Sequence, residues 1–331
     1  MRRFRLLALF LCLSSAALCD ETATVDGRSP ERAAAHEAFA ARRDSEAQAA
    51  FEKLLAANPA DHETVYHLGR LAKRRGDWPT AASRYERCTQ LAPQVALYWA
   101  DLGEAYGKLA AKAGLFQQLG LARKCGAALQ KAVALEPENR EYREGLIEFC
   151  ERAPGIAGGG RDKALAQAVE IGRREPFAGA MITGAIHSRA KNTEAAERAF
   201  REAARLDPQN DEPLAALGLL YADAGRFAEA FAQFDQLLVR NPANFAALYQ
   251  LGRIAALSGE RLSDGESALR RYLQQADHPP GQPTNAHAHL RLGEILAHRG
   301  DKGAARAEFQ AALQLDAGLK PAAEALRKLG E

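Results

Sequence analysis

Residues 211–244 read DEPLAALGLLYADAGRFAEAFAQFDQLLVRNPAN, and residues 62–95 read HETVYHLGRLAKRRGDWPTAASRYERCTQLAPQV. The two stretches share one frame: Leu217-Gly218 answers to Leu68-Gly69, Ala230 to Ala81, Phe234 to Tyr85, Leu237 to Cys88 and Pro242 to Pro93. Steps of four and three residues place the small, the large and the next apolar side chain on one helical face. The turns Arg75-Gly76-Asp77 and Ala224-Gly225-Arg226 interrupt each stretch, and glycine takes the left-handed conformation that ends a helix. Proline closes the second segment because it cannot continue a helix and suits the start of the next. Each stretch therefore predicts two packed helices. A glycine lets them approach closely, and a large side chain fills the gap beside it.

Outward from these copies the frame persists. Leu102-Gly103 follows Leu68-Gly69 by 34 residues, Gly184, Gly218 and Gly252 stand 34 apart, and Leu292-Gly293 comes 41 after Leu251-Gly252. The second-helix markers recur as Ala47, Phe51, Leu54, Pro59; Cys125, Leu129, Ala132, Pro137; Ala164, Ala168, Ile171, Pro176; and Ala196, Phe200, Ala203, Pro208. Gly265, Leu269, Tyr272 is a degraded copy, and Ala305, Phe309, Ala312 is clear but has Ala317 in place of the proline. A fixed period of this length marks a repeat array. Alternating β-branched runs are absent, so the expected class is all-α.

This pattern resembles the tetratricopeptide repeat family. The resemblance covers about 28–319 in eight copies: 28–61, 62–95, 96–139, 140–176, 177–210, 211–244, 245–278 and 286–319. It implies a right-handed α-solenoid of about eight helix pairs, with 320–331 as a C-terminal capping helix that covers the last apolar face. The first copy lacks the Leu-Gly pair, and the fourth has Leu146-Ile147 in its place.

The 331 residues carry 44 Lys+Arg against 42 Asp+Glu with 47% hydrophobic content, which excludes wholesale disorder and, lacking a basic excess, a dedicated nucleic-acid binder. Arg2, Arg3 and Arg5 precede the 13-residue, mostly apolar run Leu6–Leu18, too short to span a membrane and suited to a secretory signal. Cleavage after Ala17 or Cys19 is expected, with 1–19 as signal peptide and 20–27 as linker. Lipidation of Cys19 is the alternative, but Leu18 occupies the place where a lipoprotein signal carries a small residue. No later stretch has the roughly 18 apolar residues of a spanning helix. The expected location is the periplasm or the medium.

Departures from the period mark edges of the array. The third repeat gains ten residues around Ala110 to Leu121, and the fourth gains about three in Ala153-Pro154-Gly155-Ile156-Ala157-Gly158-Gly159-Gly160. Both insertions fall between the paired helices and so emerge on one edge. His278 to Thr284, with three prolines, lies on the other. Insertions confined to one face often mark binding, though drift in a tolerant loop gives the same pattern.

Near-motifs of chemistry fail on geometry. His62 and His67 stand five apart, which turns their rings about 140° from each other on a helix instead of stacking them. Gly158-Gly159-Gly160 follows a predicted helix and precedes Arg161-Asp162, whereas a phosphate loop needs a strand before and Lys-Ser/Thr after. His287 and His289, near His278, face different ways on a helix and lack a third ligand. Arg75-Gly76-Asp77 and Arg299-Gly300-Asp301 spell an adhesion tripeptide but sit where Gly-Asp serves turn geometry. Cys88, Cys125 and Cys150 occupy small-residue positions of helices, an odd number with no required disulfide. No catalytic set, metal site or cofactor site is expected.

In this family the first helices line the concave side. The resemblance thus assigns to the groove Tyr66, Arg70, Lys73 and Arg74 from the second repeat, Glu141, Glu144, Glu148 and Glu151 from the fourth, Tyr249 and Arg253 from the seventh, and His287, Glu294 and His298 from the eighth. The four glutamates, three, four and three apart, fall within about 80° of one face. Tyr66 and Arg70 stand where the family's clamp for C-terminal carboxylates uses Lys and Asn, so that ligand is not indicated. Two functions follow: an exported, non-catalytic scaffold that binds a peptide segment or envelope protein in the groove, or an accessory subunit in metalloprotein or cofactor assembly. The expected partner is a protein or peptide, with no nucleic acid and no membrane span. Export is checked by mass spectrometry of the native protein: an N-terminus near Leu18 or Asp20 is expected, and an intact Met1 or a lipid-bearing Cys19 would contradict it.

Overall fold

The computed structural model describes residues 29–274 and 281–330. The expected signal peptide 1–19, the linker 20–27 and His278 lie outside them. Among the described residues there are seventeen α-helices and no strand. They form two compact units that divide between Ala190 and Lys191, inside the fifth of the eight expected copies.

The N-terminal unit holds α1 (Pro30–Ala40), α2 (Asp44–Ala57), α3 (His62–Arg74), α4 (Trp78–Leu91), α5 (Ala96–Lys112), α6 (Leu115–Leu135), α7 (Arg140–Arg152), α8 (Arg161–Gly172) and α9 (Pro176–Arg189). Consecutive helices pack as antiparallel hairpins, α1 with α2 through α7 with α8, and each hairpin stacks on the next. The C-terminal unit holds α10 (Thr193–Leu206), α11 (Glu212–Asp223), α12 (Phe227–Arg240), α13 (Phe245–Ser258), α14 (Leu262–Leu273), α15 (Asn285–His298), α16 (Lys302–Leu315) and α17 (Lys320–Gly330). It repeats the arrangement in the pairs α11/α12, α13/α14 and α15/α16, with α17 packed on α16 and α15. This is an α-solenoid of helix hairpins.

Local chemistry sets the helix ends. Asp61, Asp77, Asn139, Asn192, Asn244 and Asp301 each accept the backbone N–H three residues on, satisfying a donor the helix leaves open. Asn58, Ala92, Glu136, Asp207 and Asn241 break their helices with non-helical backbone, φ between −128° and −138°, each directly before a proline. Asp316 does the same at φ −144° although Ala317 follows, so proline reinforces this break without being required for it. Pro176 has a different place from the other prolines, at the first position of α9.

The glycine of each Leu-Gly pair sits against the large side chain of the second helix. A Cβ on Gly69 would lie 2.7 Å from the Tyr85 ring, on Gly218 2.6 Å from Phe234, and on Gly293 2.5 Å from Phe309. Leu129 and Leu269 fill the same place against Gly103 and Gly252. The fourth repeat exchanges the sizes: Ile147 stands in the glycine position and Ala168 in the aromatic one, both buried. Its hairpin therefore keeps the volume with the bulk moved to the other helix.

The insertion in the third repeat is helical. It lengthens α5 and α6 to 17 and 21 residues, leaving only Ala113 and Gly114 between them. The insertion in the fourth is an ordered turn with a 3-10 segment at Gly155–Ala157, closed by the Gly160 amide donating to the Cys150 carbonyl at 2.8 Å.

Gly218→Ile should lower stability by about 1–3 kcal/mol through overpacking against Phe234. Adding Phe234→Ala should recover part of that loss, because the pair then copies Ile147 and Ala168. A thermal-melt double-mutant cycle reads the coupling, and strictly additive losses would show that the two positions do not share one gap.

Candidate functional site

The expected groove residues of the N-terminal unit lie on two first helices, Tyr66, Arg70, Lys73 and Arg74 on α3 and the four glutamates on α7, with α5 between them in the chain of hairpins. Arg70, Lys73 and Arg74 lie in the last turns of α3. The Lys73 ammonium contacts Asp101 Oδ1 at 2.9 Å and Glu104 Oε2 at 2.5 Å on α5. Burial alone would lower its pKa, but the two carboxylates outweigh burial and hold it above its usual value. Arg74 donates to Asp44 Oδ1 at 2.6 Å and to the Phe39 carbonyl at 3.0 Å, with its guanidinium 3.7 Å from the Phe39 ring centroid. Arg70 differs. It is exposed, 4.7 Å over Phe39 and 5.8 Å from Tyr66, and makes no ion pair among the described residues.

Tyr66 and Tyr249, expected on the open face, are buried at 8% and 5% exposure. The Tyr66 hydroxyl donates to Asp101 Oδ2 at 2.7 Å while its ring packs on Tyr85 and Tyr98. Burial first, then the Asp101 charge, pushes its pKa far up. Tyr249 packs on Tyr272 with centroids 5.5 Å apart. Tyr66 is consumed by packing on its own hairpin and the next one, and Tyr249 by packing within its own hairpin. Arg253, in the C-terminal unit, bonds Gln250 at 3.0 Å and lies 3.6 Å from Asp223.

Of the four glutamates on α7, three have arginine partners. Glu144 meets Arg140 at 2.7 Å, Glu148 meets Arg152 at 3.0 Å, and Glu151 takes a bidentate pair from Arg189 on α9 at 2.9 and 2.6 Å. Glu141 is exposed and unpaired among the described residues. The face is therefore less acidic than the four glutamates by themselves imply. Asp101, Glu104 and Arg189, one repeat away, were not picked out by the single-helix reading.

The other residues weighed for chemistry diverge. The His62 ring meets the Tyr98 hydroxyl at 2.8 Å, whereas His67 stacks on Phe51 on the other side of α3. His287 meets Thr284, and His289 meets Glu308 on α16. His298 contacts the Ala256 carbonyl at 3.0 Å, and Glu294 takes Arg291 at 2.8 Å. Among the described residues no three His, Cys, Asp or Glu side chains converge as a metal site. Cys88, Cys125 and Cys150 are buried free thiols.

These features define a class, the helix-hairpin repeat protein that presents side chains on its first helices. Sequence profiles described as tetratricopeptide repeat match residues 32–96, 215–280 and 254–320, and a second such profile matches 184–210. Together they span more than half of the chain, which belongs to the tetratricopeptide repeat family. The BBSome complex member bbs-4 of Caenorhabditis elegans is 34% identical over 86 residues, 26% of this chain and 18% of that protein. The chain thus matches under a fifth of that relative's length. A tetratricopeptide repeat protein from Parabacteroides merdae has a similar crystal structure, with TM-score 0.52 and 14% identity over 82% of this chain and 99% of that one. The APC/C hetero-tetramer Cut9-Hcn1 aligns at TM-score 0.48 and 16% identity over 87% of this chain and 53% of that chain.

Burial pushes the Cys88 thiol up to about 12 and the Cys125 thiol up to about 11. The thiolate is the reactive form, so a raised pKa keeps both protonated at pH 8. The native protein should leave a disulfide reagent such as DTNB unreacted at pH 8 and titrate fully once unfolded in guanidinium. Rapid native labelling at either site would contradict this environment.

Proposed function

We propose that the chain is an exported, non-catalytic scaffold that binds a segment of an envelope protein along the first-helix face of its N-terminal unit. The single observation that carries this reading is Arg70. Its guanidinium lies against the Phe39 and Tyr66 rings, exposed and without a carboxylate, while Lys73 and Arg74 beside it are both neutralised. A stacked guanidinium offers a planar fork of donors that is already oriented, and arginine is enriched where interfaces gain most of their energy. Glu141 is the free counterpart on α7, suited to a cation of the same segment. Glu144, Glu148 and Glu151 add a weaker field because arginines already screen them. Export rests on the arginine-led apolar run at the start of the chain, and the family supports protein binding in place of catalysis.

The experiment is capture from an envelope fraction on the immobilised mature protein, followed by affinity measurement with the partner identified. Arg70→Glu should weaken that affinity at least tenfold without changing the circular dichroism or the melting temperature. Glu141→Lys should weaken it less and reduce its salt dependence. Affinity unchanged by Arg70→Glu would overturn the assignment of this face. Stoichiometric metal in the purified protein would favour the assembly-accessory role instead.

A further inference from the structure

The two insertions meet. Arg123 Nε on α6 donates to the Ile156 carbonyl at 3.1 Å, tying the lengthened helix of the third repeat to the 3-10 turn of the fourth. Between them lies a pocket of about 340 Å³, lined among others by Arg123, Gly126, Gln130, Phe149, Ile156 and Gly158. Phe149 supplies an apolar wall among polar ones from Arg123 and Gln130, and Gly126 lies so close to it that a Cβ there would come within 2.5 Å of the ring. Two large apolar side chains mark this edge from outside, Ile156 at 71% exposure and Phe116 fully exposed. Neither stabilises the fold by burial.

Charge decides what fits here. From Ala105 to Leu135 the chain carries Lys108, Lys112, Arg123, Lys124 and Lys131 and no Asp or Glu, although the whole chain is nearly balanced. Of these, only Lys124 lies near a carboxylate among the described residues, 3.7 Å from Glu86. Phe116, Gly120, Arg123, Ala127 and Gln130 recur at steps of four and three, so they share one face of α6. That stripe runs about 21 Å, the length of six or seven extended residues. Its middle is open because Gly120 and Ala127 are small.

We infer that this insertion edge is a second docking surface, separate from the Arg70 face, for an acidic segment of a protein partner that places one bulky apolar side chain in the pocket between α6 and the 153–160 turn. The uncompensated lysines and Arg123 draw the acidic residues, and the pocket over Phe149 takes the apolar one. A recess suits a side chain of a peptide, whereas a bilayer surface is met by protruding rings and does not require one.

The test uses the full mature chain and labelled seven-residue peptides of Asp and Glu with a central Leu or Phe. The comparison peptides have a central Ala, or Lys in place of the acids. The acidic peptides with Leu or Phe should bind, with affinity falling as salt rises, and the central Ala should weaken binding at least tenfold. Ala127→Trp, which fills the pocket from an exposed helix position, and Lys131→Glu should each weaken binding at least tenfold. Both variants should retain the wild-type circular dichroism. Arg70→Glu should leave this binding unchanged, so failure here is distinguishable from failure of the first-helix reading. Equal binding of acidic and basic peptides, or binding untouched by Ala127→Trp, would overturn the proposal. So would co-sedimentation with phosphatidylglycerol-containing vesicles that is lost in Phe116→Ser but not in Ala127→Trp, which would assign the edge to a lipid surface.

Discussion

A methyl group added to Gly252 would stand 2.2 Å from Leu269, and the same intrusion threatens at Gly69, Gly103, Gly218 and Gly293. This close approach is the constraint on which the hairpins depend. Two helices can bury a continuous face only if one yields the space that the other fills, since packed interiors tolerate neither voids nor overlap. Once that distance is set, the small residue of the second helix and the bracketing turn follow. Phe149 shows the constraint between repeats as well as within them: it fills the space left by Gly126 of the preceding hairpin. In the fourth repeat the requirement is met in reverse by Ile147 and Ala168, so the conserved quantity within this array is volume at the contact.

Electrostatics follows the same period. Arg32 reaches Asp61, Arg74 reaches Asp44, Lys73 reaches Asp101 and Glu104, Arg140 reaches Glu175, and Arg189 reaches Glu151. In the C-terminal unit Arg226 reaches Glu197 and Arg299 reaches Glu266. Each pair joins residues about one repeat apart. Such pairs are worth little singly at a surface, yet they decide which charges remain for a partner. Arg70 and Glu141 stand out because, among the described residues, no neighbour one repeat away offers them an opposite charge.

The insertions show how a tolerant position acquires a surface. Loop insertions cost little stability, and here one became extra helix and the other a hydrogen-bonded turn. The Arg123–Ile156 contact joins them, so adjacent repeats build a pocket that neither would form alone.

The sequence by itself determined the hairpins. The Leu-Gly pairs, the Ala–aromatic spacing and the prolines are local signals, and helix period and steric exclusion act over neighbouring residues. It also showed where the period was broken. Tertiary structure decided the contacts that reach from one helix to another. Helical position puts Tyr66 and Tyr249 on the groove face, but Tyr85 and Tyr98 cover the first and Tyr272 of its own hairpin packs on the second. Glu144 and Glu148 found partners within α7 itself, four residues away on the same helix, whereas Glu151 found Arg189 on the helix of the next repeat. Tertiary packing also turned the ten extra residues into longer helices with Phe116 outward. The physical reason is that burial and pairing between helices depend on what the partner helix or the adjacent repeat brings up, from a distance along the chain over which no helical period carries information.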